Sequence, residues 1–139
     1  MPRVAQAGWV FVGGLVGTAL RELVSLGFAP LAWAPAGVVT VNLVGAFALG
    51  VLVAAVGGRQ DRAAARARLV FGTGVLGGFT TYSALAELLA AQARSGSLAE
   101  AAVTGGGILV LGGLATFGGM MLGTRWVAPL SAATRGQAR

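Results

Sequence analysis

Residues 69–89 read Leu69-Val70-Phe71-Gly72-Thr73-Gly74-Val75-Leu76-Gly77-Gly78-Phe79-Thr80-Thr81-Tyr82-Ser83-Ala84-Leu85-Ala86-Glu87-Leu88-Leu89. This stretch matches the roughly 20 mostly apolar residues that cross a bilayer as a helix. It is nevertheless interrupted near its middle, at Gly74 and at the pair Gly77–Gly78, and three hydroxyls follow at Thr80, Thr81 and Ser83. Each glycine costs a helix about 1 kcal/mol relative to alanine. Neighbouring hydroxyls can re-satisfy the backbone groups that a break sets free. A broken helix inside a bundle offers carbonyls to a cation and amides to an anion. A simple kink is the competing reading, and the double glycine with three hydroxyls favours a site.

Three further apolar runs surround this one: Gly8–Phe28, Ala36–Gly57 and Ala101–Thr124. Each is near the length of a membrane span. The expected fold is therefore an all-α membrane protein, one domain over residues 1–139, with the third helix broken at Gly77–Gly78. The connection Ala29–Pro35 carries Trp33, an amphipathic ring suited to the membrane interface, and Arg125 with Trp126 closes the fourth span in the same manner. An Arg-rich loop, Arg59 to Arg68, joins spans two and three, and a polar link from Gln92 to Glu100 joins three and four. The tail after Pro129 is expected to fray. A strand reading fails for want of sustained alternation. A secretory-signal reading of the N-terminus fails because the apolar stretch runs on into Arg21 and a second span.

Composition agrees. Of 139 residues 56% are hydrophobic and 10% charged, against about 25% charged in a soluble domain. Mean hydropathy is +0.82. The chain has no Cys and no His, which excludes disulfides, thiol chemistry, Cys/His zinc sites and histidine acid–base catalysis. The formal charge is +6, and all ten basic residues are Arg. They lie between apolar runs, where they act as topology signals, so nucleic acid is not the expected partner. With four spans, one side holds Arg3, Arg59, Arg62, Arg66, Arg68, Arg125, Arg135 and Arg139, and the other Arg21 and Arg94. That bias of eight to two predicts cytoplasmic termini for a multi-pass protein of the cell membrane.

No paired carboxylates, nucleophile with a base, or phosphate loop is present, so no enzyme is expected. Glu22 and Glu87 lie near span ends, within reach of water. Gly13/Gly17, Gly74/Gly78 and Gly119/Gly123 have the spacing at which membrane helices approach closely; for the last pair plain helix packing is the preferred reading. Asn42 lies well inside span two, where its amide serves either as interhelical glue, worth about 0.6–2 kcal/mol, or as part of a site. Arg21 is either an interfacial anchor or the lining of a vestibule that attracts anions.

The strings Gly13-Gly14-x-x-Gly17-x-x-x-Arg21-x-x-x-Ser25, Asn42-x-x-Gly45-x-Phe47-x-x-Gly50 and Gly74-x-x-Gly77-Gly78-Phe79-Thr80-Thr81-Tyr82-Ser83 occur in order. Together they resemble the CrcB/Fluc fluoride channel family over spans one to three; span four matches in length and glycine content. The resemblance implies an antiparallel dimer of four-helix subunits in membrane lipid, with two narrow fluoride pores. It implies a structural sodium ion at the dimer centre, held by the backbone carbonyls of Gly77 and Thr80. It places a pore amide on Asn42, a vestibule arginine on Arg21, and the polar track and aromatic box from Thr80 onward, on Thr81, Tyr82 and Ser83. A small, strongly hydrated anion needs such donors, and ring edges add positive quadrupole character.

Departures from the family are specific. Where members read Thr-Thr-Phe-Ser-Thr-Phe-Ser, this chain has Tyr82, Ala84, Leu85 and Ala86. The second box aromatic and part of the polar track are missing. Family homodimers show little arginine bias, whereas some members occur as two related subunits of opposite orientation. The bias here implies the second case: a heterodimer with a paralogue of reversed charge bias and two non-equivalent pores. A non-conducting subunit that completes a paralogue's pore is the alternative. A small multidrug-type antiporter ranks below both, because its carboxylate would have to be Glu22, beside Arg21 at a helix end.

Overall fold

In the computed structural model, residues 2–28 and 34–136 are described, with side chains over 2–28 and 36–125. Expectations for Trp33 and for the side chain of Trp126 lie outside the described residues. Helix α1 spans Arg3–Phe28 and α2 spans Ala34–Val56. A short α3, Arg62–Ala67, runs into a π-helical segment, Arg68–Leu76, and then α4, Gly77–Phe79. Helix α5 covers Tyr82–Arg94 and α6 covers Leu98–Gly136. There is no strand among the described residues.

Four stretches are long and apolar enough to cross a membrane: Arg3–Phe28, Ala36–Val56, Arg62–Arg94 and Leu98–Arg125. Each contains or nearly matches an expected span. In the most buried of the four, only 17% of the apolar window is enclosed. Large apolar side chains point outward on all of them, among them Phe11, Leu23, Val44, Phe71, Leu109 and Phe117. In water such a surface would aggregate; in hydrocarbon it is the solvated face.

With lipid as apolar as leucine, the helices associate by close backbone approach. Helix α1 packs chiefly on the π segment and α4, and α2 packs chiefly on α6. A Cβ on Gly74 would stand 2.9 Å from the Cα of Gly13, and one on Gly78 would stand 3.1 Å from the Cα of Gly14. Gly119 and Gly123 meet α2 at Phe47, Val51 and Ala54. All three spaced glycine pairs thus serve helix packing.

Three features differ from the sequence expectation. The third span is broken, but at Thr80–Thr81 rather than at the glycine pair: Gly77 and Gly78 are helical, while Thr80 (φ −76°, ψ 156°) and Thr81 (φ −142°, ψ 114°) are extended. Gly78 is there for proximity to α1. Second, the half of the span before the break is a nine-residue π-helix; such wide turns are rare and cluster at functional sites. Third, α6 continues past Thr124 to Gly136. Ala128, Ala132 and Ala133 favour helix there, and the next glycine is Gly136 itself.

The two connections are built differently. Between α2 and α3, Asp61 caps α3 by accepting from the Ala64 N–H at 2.9 Å and pairs with Arg59 at 2.9 Å. Arg68 donates to the carbonyls of Val56 (2.7 Å) and Arg59 (3.0 Å), satisfying the end of α2. Between α5 and α6, Gly96 takes a positive φ of 87° that lets Ser97 N–H return to Gln92 O at 3.0 Å.

Candidate functional site

The break is held by a side chain from another helix. In an unbroken helix the N–H of Thr81 would serve the carbonyl of Gly77. Here it donates to Asn42 Oδ1 at 3.0 Å. Asn42 Nδ2 in turn donates to Thr81 O at 3.1 Å and to Val38 O, one turn back on α2, at 2.9 Å. The amide thereby pairs with Thr81 as a neighbouring strand would. Thr81 is buried, so its backbone groups would otherwise pay for desolvation. Gly45, one turn after Asn42, makes room for the Thr80 side chain; a Cβ there would strike Thr80 Cγ2.

The hydroxyls divide the remaining work. Thr80 Oγ1 donates to Leu76 O at 2.9 Å, and Thr80 N–H meets the same carbonyl at 3.0 Å, closing the last turn before the break. Thr81 Oγ1 accepts from Ala84 N–H at 3.2 Å and caps α5. It also lies 3.3 Å from Ser83 Oγ. Arg21 reaches across from α1, with Nη1 at 3.4 Å from Thr80 O. Its charge is therefore brought to the break from a span end.

A cleft of about 310 Å³ opens on the flank of the chain, lined by Asn42, Gly45, Gly72, Gly77, Thr80 and Thr116 among others. Both carbonyl-bearing residues expected at a sodium ion, Gly77 and Thr80, line it. Gly77 has nothing within 4 Å of a Cβ position. Its carbonyl has lost its helical donor to Asn42, which suits a cation held by main-chain oxygen. Two carbonyls make only part of a coordination shell, and among the described residues no three acidic, Cys or His side chains converge.

The structure thus brings Arg21, Asn42, Gly77, Thr80, Thr81 and Ser83 together. Tyr82 is different: it is 84% exposed, on the outer face of α5. Leu85, Ala84 and Ala86 are half-buried. Sequence reasoning did not single out the α2 backbone at Val38 or Thr116 of α6. Val38 lies one turn before Asn42 and so was available from helical spacing; Thr116 had no signal.

These features define a multi-pass membrane protein with a broken third span and a polar site at mid-bundle. The sequence model described as CrcB-like protein, Camphor Resistance (CrcB), matches residues 8–120, and the chain belongs to that family. A protein of Hyphomonas neptunium named fluoride-specific ion channel FluC is 39% identical over 119 residues, 84% of this chain and 93% of its own. The fluoride-specific ion channel FluC 1 of Cutibacterium acnes is 43% identical over 97 residues, 68% of each chain. The Deinococcus radiodurans protein named fluoride-specific ion channel FluC is 38% identical over 125 residues, 84% of this chain and 94% of its own. These relatives are named as channels, not enzymes, in line with the expectation from sequence.

Proposed function

We propose that this chain is a fluoride channel subunit that lets fluoride leave the cytoplasm passively, and that it works as half of an antiparallel dimer. The observation that carries the reading is the break at Thr80–Thr81, held by Asn42 beside Arg21. The names of its relatives supply the ion. A pore for a strongly hydrated anion must replace water with fixed donors. Arg21 supplies positive charge, and Thr81 and Ser83 supply hydroxyls, while Tyr82, on the outer face of α5, would reach only a pore formed against the second subunit. In the described subunit both Asn42 Nδ2 protons go to carbonyls, so Asn42 must release one to serve a passing ion. A potential of 100 mV, negative inside, drives an anion outward with an equilibrium ratio of about fiftyfold.

The open cleft beside Gly77 and Thr80 suits a second copy that would complete a main-chain oxygen shell. The Gly77 carbonyl, and that of Thr80 once Arg21 releases it, would hold a sodium ion there, which would clamp the subunits and add positive field. The eight-to-two arginine bias supports cytoplasmic termini and a partner of reversed orientation. Leu85, with Ala84 and Ala86, supports a second reading, in which this subunit completes a paralogue's pore and its own conducts nothing.

Fluoride efflux from liposomes tests the proposal. The chain co-reconstituted with its reversed-bias paralogue should release fluoride, and Asn42→Ala should abolish release through the pore it serves. Release by the chain alone, as a stable antiparallel homodimer, would overturn the heterodimer. No fluoride release in any combination would overturn the channel.

A further inference from the structure

A second cleft of about 310 Å³ lies far along the chain from the break, lined by Gln6, Gln60, Asp61, Arg62, Ala65, Arg66 and Leu69. It is formed where the first turns of α1 meet α3 and the loop before it. We propose that this cleft binds the headgroup of an anionic phospholipid.

Five observations carry the proposal. Arg62 and Arg66 are four residues apart on a helix and so share a face. Neither has a hydrogen bond or ion pair with another described residue. Planar guanidinium groups match phosphodiester oxygens in a bidentate manner, and the nearby amide of Gln60 can serve a remaining oxygen. The one acid in the wall, Asp61, is already answered by Arg59 and the Ala64 N–H, so it does not oppose an anion. The volume sits at the small end of the ligand-sized range of about 300–1,000 Å³, right for a headgroup.

Position selects lipid over free anion. Leu69 opens the apolar stretch of the third span, and Gln6 comes just before that of the first. Trp9, one turn on from Gln6 and 43% exposed, is the kind of ring that sits at headgroup depth. The cleft therefore stands at the rim of the bilayer, with acyl chains free to run along α1 and the π segment. A bound headgroup would tie the start of α1 to the α2–α3 loop.

Native mass spectrometry of the purified full chain with equal phosphatidylglycerol and phosphatidylcholine tests this. Each arginine near an anionic surface is worth about a fivefold preference, so the two predict retention of phosphatidylglycerol at least about tenfold over phosphatidylcholine. Arg62→Gln with Arg66→Gln should bring the ratio near parity, while Arg94→Gln, at the other end of the bundle, should leave it unchanged. Arg62→Lys with Arg66→Lys should retain part of it. Parity in the unaltered chain would overturn the proposal, as would enrichment that survives the double glutamine variant. Full displacement by millimolar inorganic phosphate would overturn it too, by showing a free-anion site.

Discussion

The side-chain amide of Asn42 grips the main chain of Thr81 from both sides, accepting from its N–H at 3.0 Å and donating to its carbonyl at 3.1 Å. A residue on the second span thus fixes the point at which the third comes apart. Asn42→Ala would leave both backbone groups without partners. The cost should be about 1–3 kcal/mol, read as a lower melting temperature in detergent, together with loss of fluoride release. Asn42→Asp should be worse, because a carboxylate would face the carbonyls of Val38 and Thr81 in place of two N–H groups.

Neighbouring glycines should respond in opposite ways. A Cβ on Gly78 would press on Gly14 and on Thr18 N at 3.1 Å, so Gly78→Ala must push α1 aside and should cost about 1–3 kcal/mol. Gly77 has open space, so Gly77→Ala should leave the subunit as stable as before or more so. It should weaken dimerisation instead, because the added methyl fills the cleft that a second copy would cover. Thermal melts and cross-linked dimer yield separate the two effects.

Leu85→Phe restores the aromatic that members of the family carry. If the pore on this subunit's third span is impaired by that change, fluoride efflux through it should rise at least severalfold, measured with the other pore blocked. No change would place the fault at Ala84 and Ala86 or elsewhere.

Asp61 gives a pH signature. The Ala64 N–H, and next Arg59, hold its carboxyl below the usual carboxylate range. A lowered value in the fold means the contribution is fully present above about pH 4 and fades as pH falls further. The gap in melting temperature between the unaltered chain and Asp61→Asn should hold constant from neutral down to about pH 5 and narrow below pH 4. A gap that grows on acidification would contradict the pairing.

Much of this was legible from residues alone because lipid imposes simple rules. Apolar length placed four spans, and the expected bounds of the second differ from the observed helix by a residue or two. Glycine spacing marked the packing faces. Asn42, costly where it stands, marked itself. What stayed hidden depends on contacts distant in sequence. The glycine pair looked like the breaking point because glycine is poor in helices. The actual break follows from Asn42 capturing the N–H of Thr81, 39 residues away. The π-helical run, against which α1 packs, is likewise not hinted at by local propensity. The hydroxyls, expected to satisfy backbone groups set free by the break, do so at points that spacing does not specify, Thr81 as the cap of α5 and Thr80 as the closing bond of α4.

Packing pairs α1 with the third span and α2 with the fourth, so neighbours in sequence are not the main neighbours in space. A ribosome that has released only the first two helices has made two pieces that both await strangers. Each half of the chain finds its main packing partner in the other, and two separately expressed halves should survive quality control only when made in the same cell.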